Sequence, residues 1–247
     1  MIEWECTLDC NYKCDYCTNG RNSVLKNPIK CITDKTKIFN FLKSIKTRFP
    51  DEELFLFGGE PFLHPEIEFI IKTLNSINLS FVIQSNFSCY ERISKIEDNF
   101  KLQVSLHKSQ IRNLDEYIKN LIDFQSKIQR IDLMFEDKGT LNIYKKLKQY
   151  IPEEKLLIAP IADFNVEKTH LKQLKLFNIL KKALKMNFEE GERSFLWEKM
   201  MEGKIITKGH KCLYKNKYHL FDPQFNEYNC SYRVKTDICP NENCFLM

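Results

Sequence analysis

The stretch Cys10-Asn-Tyr-Lys-Cys14-Asp-Tyr-Cys17 packs three cysteines into eight residues with the spacing Cx3Cx2C. Thiolates are metal ligands, and in a reducing compartment clustered thiols point to metal before disulfides. Three thiolates are one short of the four that close a structural zinc site. Around an iron–sulfur cube, three would leave one iron open to an outside ligand. The plain alternative is a cysteine stripe on a helix, because positions 10, 14 and 17 share one helical face. The polar neighbours Asn11, Lys13 and Asp15 and the apolar run just before the loop weigh against it.

A second group, Cys212, Cys230, Cys239 and Cys244, has the pattern Cx17Cx8Cx4C. Four thiolates would close a zinc site or hold a second cluster, and composition does not choose between them. With Cys6, Cys31 and Cys89 the total is 10 cysteines in 247 residues, well under the roughly 8–10% of a disulfide scaffold. Glu3, Glu5 and Asp9 stand where a secretory signal needs positive charge and then an apolar run. No window reaches the roughly 18 apolar residues of a membrane span. The expectation is a cytoplasmic protein with no membrane partner. The net charge is +5, but the lysines of 171–185 lie off the apolar stripe of Leu171, Leu174, Phe177, Leu180 and Leu184. Such charge reads as solvated helix faces, with no motif for a nucleic-acid partner.

The elements that must position these residues alternate. Short apolar runs at Ile2–Cys6, Leu54–Phe57, Ser80–Gln84, Leu102–Leu106, Arg130–Phe135 and Lys155–Pro160 read as strands. Amphipathic stretches at Asp34–Arg48, Pro65–Ile77, Tyr90–Glu97, Leu114–Lys127, Leu141–Tyr150 and Lys168–Met186 read as helices. Six such units give an α/β fold, a partial (β/α)6 TIM-like barrel, since a closed barrel takes about 250 residues for eight units. The unusual residues fall at the carboxyl ends of strands, where such folds bind ligands. These are the Cys10–Cys17 loop, Gly58–Pro61, Ser85-Asn86, Ser105 with His107, and Glu136. A further helix is expected over Glu189–Met201, and 217–233 reads as a hairpin in which Asn226 takes a left-handed turn position. The expected division is a core over 1–186, a connecting helix over 187–208 and a small cysteine-rich hairpin extension over 209–247.

Two motifs carry a resemblance. The cysteine loop, with aromatic Tyr16 before its last cysteine, is similar to the CxxxCxΦC loop of the radical S-adenosylmethionine (radical SAM) enzymes. Phe57-Gly58-Gly59-Glu60-Pro61 begins 40 residues after Cys17 and resembles the GGEP motif of that family. The resemblance implies a 4Fe–4S cluster on Cys10, Cys14 and Cys17, with S-adenosylmethionine chelating the open iron. It places Gly58, Gly59, Glu60 and Pro61 at the methionyl amino group, Tyr16 beside adenine and Ser105 toward the ribose. Ser85-Asn86 stands where many relatives have Thr-Asn-Gly, with Phe87 in place of the glycine. An electron from an external reductant, such as flavodoxin or ferredoxin, would cleave the cofactor. The adenosyl radical would then take a hydrogen atom from substrate.

The tail resembles a shortened twitch/SPASM extension, whose Cys–Gly–Cys spacing is kept with Phe225 in place of the glycine. That implies an auxiliary 4Fe–4S cluster on Cys212, Cys230, Cys239 and Cys244, with zinc as the alternative. The reaction class is radical hydrogen abstraction. A peptide-modifying maturase leads, followed by a small-molecule sugar or nucleotide dehydrogenase or cyclase, then by an activating enzyme for a glycyl-radical partner. The non-enzyme alternative is a zinc- or cluster-binding regulatory protein. His107, Glu136 and Cys89 are catalytic candidates by position alone, and a polar surface histidine or a small buried thiol is the simpler reading.

Overall fold

In the computed structural model, which describes residues 2–17, 29–161, 176–181 and 218–228, alternation along each strand separates two faces. β1 (Ile2–Thr7) sends Ile2, Trp4 and Cys6 into the core, and β2 (Leu54–Gly58) adds Leu54 and Leu56. β3 (Phe81–Ser85) adds Phe81 and Ile83, and β4 (Lys101–Leu106) adds Leu102, Val104 and Leu106. β5 (Ile128–Met134) contributes Ile131 and Leu133, and β6 (Leu156–Ala159) Leu156 and Ile158. The opposite face is mixed: Phe55, Phe57, Val82 and Leu157 share it with polar groups that bond to one another. Gln84 Nε2 donates to Ser105 Oγ (2.8 Å) and Gln103 Nε2 to Asp132 Oδ2 (2.5 Å).

Among the described residues the apolar face is covered by α1 (Lys35–Arg48), α2 (Ile67–Ser76), α3 (Tyr90–Ile93), α4 (Leu114–Asp123) and α5 (Gly139–Leu147). Asp34 caps α1 by accepting from the backbone N–H groups of Thr36 and Lys37 (2.9 and 3.1 Å), and Asn113 caps α4. Residues 176–181 are helical, with Phe177 against Phe135. Three helices fall well short of the span that the periodicity suggests, α4 among them, which ends at Asp123 and not Lys127 and passes into tight turns before β5. α2 starts at Ile67 and not Pro65, because the Pro65 carbonyl accepts from Arg92. α3 ends at Ile93 and not Glu97, giving way to tight turns before β4.

Among the described residues the sheet has eight strands in the order β6-β5-β4-β3-β2-β1-β7-β8. β1 to β6 pair in parallel, each beside its predecessor, with no reversal of direction across the sheet. Right-handed crossovers then put every helix on one side, as a singly wound partial barrel requires and a doubly wound sheet does not. All six strands end at one rim. No described helix is long and apolar enough to cross a membrane.

The tail joins this sheet. β7 (His219–Phe221) runs parallel to the free edge of β1, and β8 (Glu227–Tyr228) folds back antiparallel to it. A hairpin too small for its own core thus borrows the core of the barrel. Phe225 stacks on Phe41 at 4.1 Å and meets Trp4 at 5.7 Å, while Phe221 meets Phe41 at 5.2 Å. The turn is built around Asp222, whose Oδ1 accepts from the N–H groups of Gln224 and Asn226. Phe225, and not Asn226, takes the left-handed position, with φ 63°. The Asp222 bonds fix Asn226, and the stacking holds Phe225 where glycine would be easier. The expected helix over Glu189–Met201, most of Lys168–Met186, and Cys212, Cys230, Cys239 and Cys244 lie outside the described residues.

A left-handed non-glycine residue costs roughly 1–2 kcal/mol, and fully burying a Phe side chain returns about 1.5–3 kcal/mol, of which the half-buried Phe225 keeps a share. Phe225→Ala keeps the strain and loses the stacking, whereas Phe225→Gly loses both. Chemical denaturation should therefore rank wild type above Phe225→Gly and Phe225→Gly above Phe225→Ala, the variants separated by about 1 kcal/mol. The reverse order of the two variants would contradict the strained turn.

Candidate active site

The rim gathers two motifs into one surface through backbone contact. Gly59 N donates to the Thr7 carbonyl and Glu60 N to the Asp9 carbonyl, both at 2.7 Å. The Gly58–Glu60 strand end thereby runs directly against the segment that opens the cysteine loop. The approach is too close for any side chain. A Cβ on Gly58 would stand 2.2 Å from the Thr7 carbonyl oxygen, and one on Gly59 2.2 Å from that of Asp9. Gly58 also has φ +152°. The two glycines serve the protein's own backbone before they serve any ligand.

Glu60 is fully buried and turns inward. Its Oε1 accepts from Phe62 N (3.1 Å), capping the single turn Pro61–Leu63, and from Ser85 Oγ (2.8 Å). Its Oε2 accepts from Asn86 N at 2.7 Å. One carboxylate thus ties the ends of β2 and β3 together. Burial raises its pKa to about 7 against the pull of the bonds from Asn86, Phe62 and Ser85. Arg92 steadies the following turn, donating to the carbonyls of Phe62 (2.9 Å), His64 (3.2 Å) and Pro65 (3.0 Å).

The Cys10–Cys17 loop is not helical, which removes the cysteine-stripe alternative. Groups from three other strand ends hold it. On the β3 side, Asn86 Nδ2 donates to Asn11 Oδ1 (3.1 Å) and reaches Cys10 Sγ at 3.8 Å, and Asn11 Nδ2 donates to Ser88 Oγ. On the far side, Lys13 N donates to Gln110 Oε1 (2.9 Å) beyond β4. The Tyr16 hydroxyl donates to Glu136 Oε1 (2.7 Å) beyond β5 and contacts His107 Nδ1 at 2.9 Å. Tyr12 N also donates to Cys10 Sγ at 3.4 Å. Cys14 is buried, Cys10 half-buried and Cys17 exposed.

The donors of the loop fit an iron–sulfur cube. They are three thiols on one short loop, with N–H groups of Tyr12 and Asn86 aimed at the sulfur of Cys10. Among the described residues no three Cys, His, Asp or Glu side chains converge on a single metal ion; a cube asks instead for one thiolate at each iron corner.

The other sequence candidates fall as follows. Ser85 and Asn86 are buried at the end of β3, and Phe87 beside them has φ 61° with its ring among Tyr90, Tyr117 and Phe124. Phe87 thus takes a left-handed turn, which glycine adopts with least strain. Ser105 is buried and accepts from Gln84. Cys89 is half-buried beside Ser88, and burial raises its pKa. His107 and Glu136, separate candidates by sequence, meet at Tyr16. Sequence reading missed Asn11, Ser88, Ser109 and Gln110, whose types carry no signal until the fold brings them together.

A carboxylate held above its ordinary 4.5 is protonated more readily folded than unfolded. Its contribution to stability is complete below that value and declines as pH rises through about 7. Urea unfolding of wild type and Glu60→Gln across this range should show the wild-type advantage shrinking by up to about 3 kcal/mol toward high pH. A pH-independent difference would contradict it.

Residues 4–136, more than half of the chain, match the sequence profile of the Radical SAM superfamily. A Fibrobacter sp. (strain UWH6) protein named S-adenosylmethionine-dependent nucleotide dehydratase is 28% identical over 183 residues, 68% of this chain and 53% of its own. The chain thus spans about half the length of that curated relative. Streptococcus suis SuiB bound to precursor peptide SuiA superposes over 97% of this chain and 61% of its own, with TM-score 0.61 and 13% identity. Histidine-tagged anSMEcpe with bound AdoMet superposes over 100% of this chain and 74% of its own, with TM-score 0.55 and 17% identity. With the cysteine loop, the glycine pair and the singly wound sheet in their places, this chain belongs to the radical SAM superfamily.

Proposed function

We propose that the chain binds a 4Fe–4S cluster on Cys10, Cys14 and Cys17, cleaves S-adenosylmethionine there and abstracts a hydrogen atom from a substrate. One observation carries the reading: the segment Thr7–Asp9, which leads directly into the cysteine loop, is hydrogen-bonded backbone to backbone with Gly59 and Glu60. The iron ligands and the segment that would receive the methionyl amino group therefore form one rigid rim. When bound, the cluster supplies one electron and the cofactor a carbon radical, chemistry the protein itself does not perform. The protein holds and orients. Tyr16 flanks the adenosyl group, Ser85, Asn86 and Ser105 line the rim, and Gly58–Pro61 offer backbone to the methionyl end. Glu60 acts by shaping that turn, because its carboxylate is spent on Phe62, Ser85 and Asn86.

Two substrate classes stand. A nucleotide or other small molecule is supported by the nucleotide dehydratase relative. A peptide is supported by the likeness of the tail to twitch/SPASM extensions. Phe225, at the position of the extension's glycine, takes a left-handed turn of the kind glycine adopts with least strain. On this reading Cys212, Cys230, Cys239 and Cys244 hold an auxiliary 4Fe–4S cluster, with zinc as the alternative. A flavodoxin- or ferredoxin-like protein would supply the electron.

Anaerobic reconstitution followed by iron, sulfide and zinc analysis tests this reading. About eight irons support two clusters, and about four with one zinc assign the tail to structure. Dithionite with S-adenosylmethionine should release 5′-deoxyadenosine, and mixed nucleoside triphosphates should raise the yield if the substrate is a nucleotide. Replacing Cys10, Cys14 and Cys17 by Ala should remove about four irons and all deoxyadenosine. An intact cluster that yields none overturns the proposal.

A further inference from the structure

Tyr16, His107 and Glu136 form a hydrogen-bonded chain whose protons can be assigned. The phenol has one proton, and it goes to Glu136 Oε1 at 2.7 Å. The 2.9 Å contact to His107 Nδ1 must then be a bond in which the imidazole donates and the phenol oxygen accepts. Burial depresses the His107 pKa to about 4, so the ring is neutral with its single proton on Nδ1. The order is His107 Nδ1–H to Tyr16 Oη, and Tyr16 Oη–H to Glu136. The second oxygen of Glu136 accepts from Ser109 N (2.8 Å), so the carboxylate is anchored on the turn after β4 as well. The Tyr16 and His107 rings stack at 5.8 Å with an interplanar angle of 24°, and Tyr12 meets the same imidazole edge-on at 6.0 Å. A neutral bond and a bond to a carboxylate in series polarise one another and fix a ring more firmly than either bond alone.

Resting on the reading of this rim as the S-adenosylmethionine site, we propose that His107 and Glu136 are positioning residues. They lock the Tyr16 ring against the ends of β4 and β5, so that the adenosyl group meets a preformed wall. Neither needs to touch the reacting atoms. Their effect passes through one phenolic oxygen.

The test uses the cluster-loaded enzyme and S-adenosylmethionine itself, with affinity from equilibrium dialysis, iron content, and the change in the EPR spectrum of the reduced cluster on cofactor addition. Tyr16→Phe keeps the ring and removes both bonds together with the hydroxyl's interaction with Cys14, and it should weaken binding about tenfold while iron content stays at the wild-type level. His107→Leu should weaken binding similarly, whereas His107→Asn, whose amide N–H can stand in for Nδ1–H, should recover to within about threefold of wild type. The Tyr16→Phe/His107→Leu pair should be no weaker than Tyr16→Phe alone, because both cut the same chain. Binding by Tyr16→Phe within about twofold of wild type overturns the proposal. So do equal affinities of the Asn and Leu variants, additive losses in the pair, or loss of iron from Tyr16→Phe. If Tyr16→Phe does not fold, the Asn–Leu comparison decides alone. Failure of the wild-type enzyme to bind S-adenosylmethionine overturns the site reading itself, a result distinct from wild-type binding with unchanged variants.

Discussion

Two backbone hydrogen bonds, Gly59 N to Thr7 O and Glu60 N to Asp9 O, set the geometry on which the rest of this site depends. They hold two strand ends so close that a methyl group at either glycine would overlap a carbonyl oxygen. The cysteine loop therefore leaves β1 along a fixed path, although the loop has no regular structure of its own. What the loop lacks internally, the neighbouring strand ends supply. Asn86 and Ser88 hold its opening, Gln110 its middle, and Glu136 with His107 its close. The parallel order of β1 to β6 makes this possible, because it brings the ends of all six strands to one rim.

A second theme is how aromatic residues replace glycine. Phe87 and Phe225 both occupy left-handed backbone, which glycine adopts with least strain. Each is packed among other rings: Phe87 with Tyr90, Tyr117 and Phe124, and Phe225 with Trp4 and Phe41. Burial of a large ring offsets the backbone strain, so the turn survives the loss of its usual residue. One turn aims Ser85 and Asn86 at Glu60, and the other docks the tail hairpin on β1.

Much of the frame was legible in the sequence because it rests on periodicity. The six strands and the helices after them follow from alternation and amphipathic periodicity, and the Cys and Gly-Gly-Glu motifs from unusual residues at strand ends. The site's interior was not. That Glu60 faces inward, and that Tyr16 joins His107 to Glu136, depends on contacts between residues up to 120 positions apart. No local pattern encodes them. Asn226 was the natural left-handed residue by type, and only the stacking of Phe225 on Phe41 decides otherwise. The pairing of β7 with β1 was equally hidden, since it joins the two ends of the described chain and a three-residue strand carries little pattern.

The central claim is that this rim presents an iron to the methionyl end of S-adenosylmethionine. Electron–nuclear double resonance on the reduced enzyme, with the methionine amino nitrogen isotopically labelled, tests it most directly. The account predicts a hyperfine coupling from that nitrogen to the cluster, lost when Cys10, Cys14 and Cys17 are replaced by Ala. A reduced cluster that binds the cofactor yet shows no such coupling would contradict it.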